Sequence, residues 1–126
     1  MSNAAQPELT PDEFVACMRS FGLSRAWLVY NAEKQEVEVS DPRLEPLREL
    51  MANDVRDFAG HEGVFLAVGP QTGALFGAFV HKTNRGQAQG GLRYWPYGTV
   101  DAFLRDGLRL AKGMTRKSAL AGLWWG

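Results

Sequence analysis

Five apolar residues near the end of the chain constrain its fold most. Val100, Phe103, Leu104, Leu108 and Ala111 fall at relative positions 0, 3, 4, 8 and 11, the spacing of one buried helical face. Such a face needs a surface to cover. The preceding sequence supplies runs of strand character. Ala26-Trp27-Leu28-Val29-Tyr30 reads as a buried strand and Glu36-Val37-Glu38-Val39 as a half-exposed one. Val64 to Val68 and Ala74 to Val80 flank the turn-rich Gly69-Pro70-Gln71-Thr72-Gly73 and predict a hairpin. Gly91 to Trp95, closed by Pro96, reads as a fifth short strand.

Two earlier helices are predicted. Thr10-Pro11-Asp12-Glu13 combines a cap, a proline for the first turn and a capping-box glutamate. Phe14, Val15, Met18 and Phe21 follow at helical spacing, with Gly22 as the stop. The second helix starts at Pro46, puts Leu47, Leu50, Met51, Val55 and Phe58 on one face and ends at Gly60. The last helix is capped by Thr99, and Asp101 and Lys112 match its dipole. Gly107 lies on its apolar face, where a missing side chain permits close packing. Gly113 is expected to end it, leaving Met114 to Leu123 as a separate short helix carrying Lys117. The order is that of an α/β fold, a mixed β-sheet with helices packed on it.

Composition narrows the class. At 126 residues and 45% apolar the chain is one globular domain that needs no disulfide. Cys17 stands alone. No apolar run is long enough to span a bilayer, and no signal peptide opens the chain, so a cytoplasmic, non-membrane protein is expected. Residues 1–9 are set apart as disordered or tag-derived, and the domain is taken as 10–126.

Net charge is zero, but it is polarised. Up to Phe58 there are 11 acidic and 6 basic residues; from Ala59 onward there are 3 and 8. A basic half suits an anionic partner: a carboxylate substrate, a nucleotide phosphate or an acidic face of the same fold. The cations are scattered at helical spacing rather than clustered, which argues against nucleic acid.

Few residues carry recognisable chemistry alone. Gly90-Gly91 can be a tight turn, or a place where backbone approaches a ligand. Lys117 can be a solvated helix residue or a cation aimed at an anion. His61 and His81 lack ligand-spaced partners, so no metal site is expected. Ser118 has no visible base, Asp101 and Asp106 read as exposed helix charges, and the four tryptophans read as core or interface.

The run Gly90-Gly91-Leu92-Arg93, then Leu108-Arg109-Leu110-Ala111-Lys112-Gly113-Met114-Thr115-Arg116-Lys117, then Ala119-Leu120-Ala121-Gly122-Leu123 resembles the N-terminal domain of the glutamate/leucine/phenylalanine/valine dehydrogenases. The resemblance implies a substrate-binding and dimerisation domain of an NAD- or NADP-dependent amino-acid dehydrogenase. It implies that Lys117 binds the α-carboxylate of an amino acid, that Gly90 and Gly91 line the substrate site, and that Met114 touches the side chain. The family's catalytic lysine and its nucleotide-binding domain are expected beyond the position of Gly126. The chain alone is therefore expected to bind no cofactor, to be inactive and to self-associate, with Trp124 and Trp125 as contact candidates.

Gln89 stands where glutamate-selective members usually carry lysine. It cannot neutralise a side-chain carboxylate, and with Met114 it points to a branched or aromatic substrate. Arg116 and Trp124-Trp125 also depart from the family pattern. The alternative is a standalone, non-enzymatic binding or assembly module that retains the fold.

Overall fold

A computed structural model describes residues 4–123 and 126, the side chain of Arg85 excepted. Helix α1 (Pro11–Ser20) begins at the expected capping box. The Thr10 hydroxyl accepts from the Glu13 N–H at 3.2 Å, and the Glu13 carboxylate accepts from the Thr10 N–H at 3.0 Å. Strands β1 (Arg25–Asn31), β2 (Glu36–Val39), β3 (Gly63–Val68) and β4 (Leu75–Val80) form one sheet in the order β2-β1-β3-β4. Its three pairings are all antiparallel, so the α/β class holds while the sheet, expected as mixed, contains no parallel pair among the described residues.

One face of the sheet carries the core. Ala26, Leu28, Val37, Val64 and Leu66 alternate onto it and meet Phe14 and Met18 of α1, Leu47 and Met51 of α2 (Glu45–Asn53), and Leu104 and Leu108 of α3 (Val100–Leu120). The close approach anticipated at Gly107 is present. A methyl group there would land within the ring of Phe79 on β4. Phe79 in turn stacks edge-on against Phe103, with centroids 5.6 Å apart.

Four expectations need correction. First, α2 ends at Asn53 rather than near Gly60, because the Asp54 carboxylate accepts the backbone N–H groups of Arg56, Asp57 and Phe58. That local capture competes with helix continuation and leaves Val55 exposed. Second, Gly91–Trp95 forms no strand, and Leu92, Tyr94 and Trp95 are exposed. The segment is held to α3 through Arg93 and Tyr97 instead. Third, α3 does not stop at Gly113 but runs to Leu120. A glycine inside a helix costs about 1 kcal/mol. Buried Ser118 and a Thr115–His81 hydrogen bond of 2.9 Å tie down the far side. Gly122, at φ +78°, follows the helix end.

Fourth, the opening residues are not all loose. Ala5 is buried and its N–H donates to the Arg43 carbonyl at 2.8 Å, while the Pro7 and Leu9 carbonyls accept from Asp101 and Val100 at the start of α3. Those bonds satisfy donors that a helix N-terminus leaves open. Of the tryptophans expected in core or interface, Trp27 and Trp95 are exposed and so outside the core, while Trp124 and Trp125 lie outside the described residues.

Candidate functional site

The site is built on the second half of α3, so what fixes the first half sets its position. Asp101 accepts from Arg105 one turn on, at 2.7 Å. Arg105 also reaches Asp54 at 3.3 Å, and Arg109 grips both oxygens of Asp57 at 3.0 and 3.2 Å. Lys112 donates to the Arg56 carbonyl at 2.7 Å. The basic face of α3 therefore meets an acidic stretch of the same fold, one of the three partners the charge asymmetry allowed. The bonds from Arg109, opposed by burial and aided by Arg56, hold the Asp57 carboxyl below its ordinary range.

Two histidines, far apart in sequence, lock the same contact. His61 is buried, with its ring centroid 4.6 Å from that of His81. Its Nδ1 lies 3.1 Å from the Ala59 N–H and so accepts, which leaves Nε2 to donate to the Leu108 carbonyl at 2.7 Å. Burial pushes the His61 pKa down to about 4 and lowers that of His81 as well; nearby Lys82 and Lys112 act in the same direction. The β3–β4 pairing brings the two together, its ladder running past Gly63 and Val80 to a bond from the Glu62 N–H to the His81 carbonyl at 3.2 Å. Among the described residues no group of three or more His, Cys, Asp or Glu could hold a metal.

Beyond this anchor, α3 presents Met114 and Lys117 one turn apart on the same face. They meet Gln89 and Gly90 across a depression of about 260 Å³, whose wall continues through Ser118, Ala121 and Leu123. Four of the five residues singled out in the sequence thus line one concavity. Gly91 does not; it is exposed beside it. Neither glycine of the pair has positive φ, and a Cβ at Gly90 would make only ordinary contact with Met114, at 3.8 Å. The fold itself does not require glycine there. The Gln89 N–H is fixed by the Gly126 carbonyl at 2.8 Å. The Lys117 side chain is exposed and has no hydrogen-bond or ion-pair partner among the described residues.

Met114 and Lys117 also border a second hollow of about 180 Å³, with Arg93, Asp106, Arg109 and Gly113. Asp106 is no ordinary exposed charge. It accepts from Arg93 through both oxygens at 2.9 Å and from the Tyr97 hydroxyl. Burial works against its ionised form, but these bonds outweigh it and hold the carboxyl low. Burial and the same carboxylate push Tyr97 up to about 12. Asp106 lies three residues before Arg109, and Ser118 and Ala121 lie four after Met114 and Lys117; the last two could have been found from that spacing had α3 been read through Gly113.

Residues 72–126 match the family described as Glu/Leu/Phe/Val dehydrogenase, dimerisation domain. Among individual relatives, phenylalanine dehydrogenase of Thermoactinomyces intermedius is 44% identical over 73 residues, which cover 58% of this chain and 20% of that protein. Valine dehydrogenase of Streptomyces virginiae is 40% identical over 67 residues, 53% of this chain and 19% of the relative. Leucine dehydrogenase of Bacillus cereus is 54% identical over 44 residues, 35% and 12% respectively. The chain thus spans no more than a fifth of the length of these relatives. No solved structure matches. None of the described helices is long and apolar enough to cross a membrane.

Proposed function

We propose that this chain is the amino-acid-binding and dimerisation part of a cytoplasmic, NAD- or NADP-dependent amino-acid dehydrogenase. The overall reaction is reversible oxidative deamination of an L-amino acid to a 2-oxo acid and ammonia. The observation that carries this reading is the meeting of Gln89, Gly90, Met114 and Lys117 around one depression, with the lysine side chain unpaired among the described residues. Lys117 receives the α-carboxylate as a point charge. Gly90 leaves the backbone open to the substrate, and Met114 offers a soft apolar surface to the side chain.

Gln89 can donate and accept hydrogen bonds but carries no charge. Burying a glutamate side-chain carboxylate beside it would leave that charge unpaired, which is costly. The reading therefore favours a branched or aromatic amino acid. The nicotinamide cofactor accepts or returns hydride in such reactions. A G-x-G-x-x-G turn for its pyrophosphate does not occur in these 126 residues. No cofactor-binding or catalytic role is assigned to them, and the chain alone is expected to be inactive.

The test is a binding competition on this chain. L-phenylalanine, L-leucine and L-glutamate are titrated by NMR, and NAD(P)H formation is followed in parallel. The apolar amino acids should bind more tightly than glutamate, with no NAD(P)H produced. Tighter glutamate binding would overturn the substrate class, and turnover would overturn the assignment of chemistry elsewhere.

A further inference from the structure

Gly90 faces Met114 from a segment that has no ladder to hold it. Residues 87–95 belong to no helix or strand and are exposed. Among the described residues, positions 90–94 make no backbone hydrogen bond. Gly126 fixes the start of the segment. Its carbonyl accepts from the Gln89 N–H at 2.8 Å, and its N–H donates to the Gln87 carbonyl at 3.4 Å. The other end is fixed by side chains. Arg93 donates through Nη1 to both oxygens of Asp106 at 2.9 Å, and the Tyr97 hydroxyl donates to one of them.

Asp106 is suited to that work. A hydrogen bond to an ionised partner is roughly twice as strong as a neutral one. The Asp106 side chain is only 22% exposed, so water competes poorly for it. Its place on α3 gives the clamp a purpose. Asp106 precedes Lys117 by 11 residues of one unbroken helix. That is three turns, which sets both on one face about 16 Å apart along the axis. The second hollow is lined by Arg93 and Asp106 as well as by Met114 and Lys117, and the last two also line the depression with Gly90.

We infer that Asp106 is a positioning residue for the amino-acid site: by holding Arg93 and Tyr97 against α3 it fixes Gly90 opposite Met114 and Lys117. Loop and lysine are then carried by the same rigid helix, and the width of the depression is set before a ligand arrives. Without the clamp, binding would have to order the loop, and affinity would fall by that cost. This deepens the amino-acid-binding reading above and rests on it.

Asparagine at position 106 separates the clamp from the shape of the side chain. It keeps an acceptor for Tyr97 but loses the charge and the second oxygen that Arg93 uses. The experiment is an NMR titration of this chain with L-phenylalanine, in the wild type, Asp106→Asn, Arg93→Gln and the double variant, each checked for folding by circular dichroism. Asp106→Asn and Arg93→Gln should each weaken binding about tenfold. The double variant should lose no more than either, because all three lack the same clamp. In the free variants the Gly90 and Gly91 amide resonances should move toward random-coil positions while those of Leu104 and Leu108 stay. General loosening of α3 would not give that signature.

Wild-type affinity in Asp106→Asn, or losses that add in the double variant, would overturn the role of Asp106 and leave the amino-acid reading intact. A wild type that binds no L-phenylalanine would overturn that reading and the role built on it. Should Asp106→Asn fail to fold, Arg93→Gln decides, since Arg93 is exposed on the loop. Unchanged affinity and unmoved glycine resonances in that variant would then overturn the proposal.

Discussion

The two halves of α3 show what one helix does when it is anchored and when it is presented. From Val100 to Lys112 it buries Val100, Leu104 and Leu108, lets Phe79 press against Gly107, and joins its cations to the Asp54–Asp57 stretch. From Gly113 to Leu120 it leaves Arg116, Lys117, Ala119 and Leu120 exposed, with the Lys117 side chain unpaired among the described residues. The first half places the second. A binding lysine is most useful when its own fold makes no claim on it and its backbone cannot move.

The comparison breaks most sharply at its two glycines. Gly107→Ala drives a methyl group into the Phe79 ring and should cost about 1–3 kcal/mol. Gly113→Ala, with open space and an ordinary helical backbone, should stabilise by up to about 1 kcal/mol. Urea unfolding of both variants checks the opposite signs. Equal effects would mean that the halves pack alike.

Removing the anchor's buried acid should cost somewhat less. Asp57→Ala strands Arg109 and Arg56 and should destabilise by about 2 kcal/mol, as measured by denaturant midpoint. Lys117→Met should leave that midpoint within about 0.5 kcal/mol. The contrast fails if Lys117→Met destabilises as much as Asp57→Ala.

Acid tests the anchor in another way. The His61 pKa falls from 6.5 to about 4 on folding, so the unfolded chain binds the proton more readily. Stability from this group is complete above pH 6.5, falls by about 1.4 kcal/mol per pH unit below it, and levels off near pH 4. His81 acts in the same direction. In His61→Gln the slope across that window should flatten; an unchanged slope would remove His61 from the anchor. The smallest effect expected is a change of preference. Gln89→Lys should improve glutamate binding several-fold relative to phenylalanine, roughly the value of one exposed ion pair.

Much of this was legible because the signals were local. The Thr10 capping box, the Thr99 cap and the Gly69–Gly73 hairpin need only a few neighbouring residues. Gly107 was legible because it interrupts an apolar face. The failures have the opposite character. Gly113 was read as a stop because its intrinsic cost is local, whereas Thr115–His81 and Ser118, which outweigh it, depend on tertiary contacts. Asp54 ends α2 through side-chain bonds that compete with the helical pattern of Val55 and Phe58. Gly91–Trp95 has strand-like composition, but Arg93 and Tyr97 bind Asp106 on a helix, not a neighbouring strand. The depression was half legible. Motif residues pointed to Gln89, Gly90, Met114 and Lys117, while Ser118 and Ala121 became visible only once α3 was continuous.

The most direct test of Lys117 as carboxylate receptor is an NMR titration of this chain with L-phenylalanine and with phenethylamine, which lacks the carboxylate. The account predicts that L-phenylalanine shifts the resonances of Gln89, Gly90, Met114 and Lys117. It also predicts that phenethylamine shifts them far less and that Lys117→Met abolishes the difference. Equal responses to the two ligands, or an undiminished response to L-phenylalanine in Lys117→Met, would contradict it.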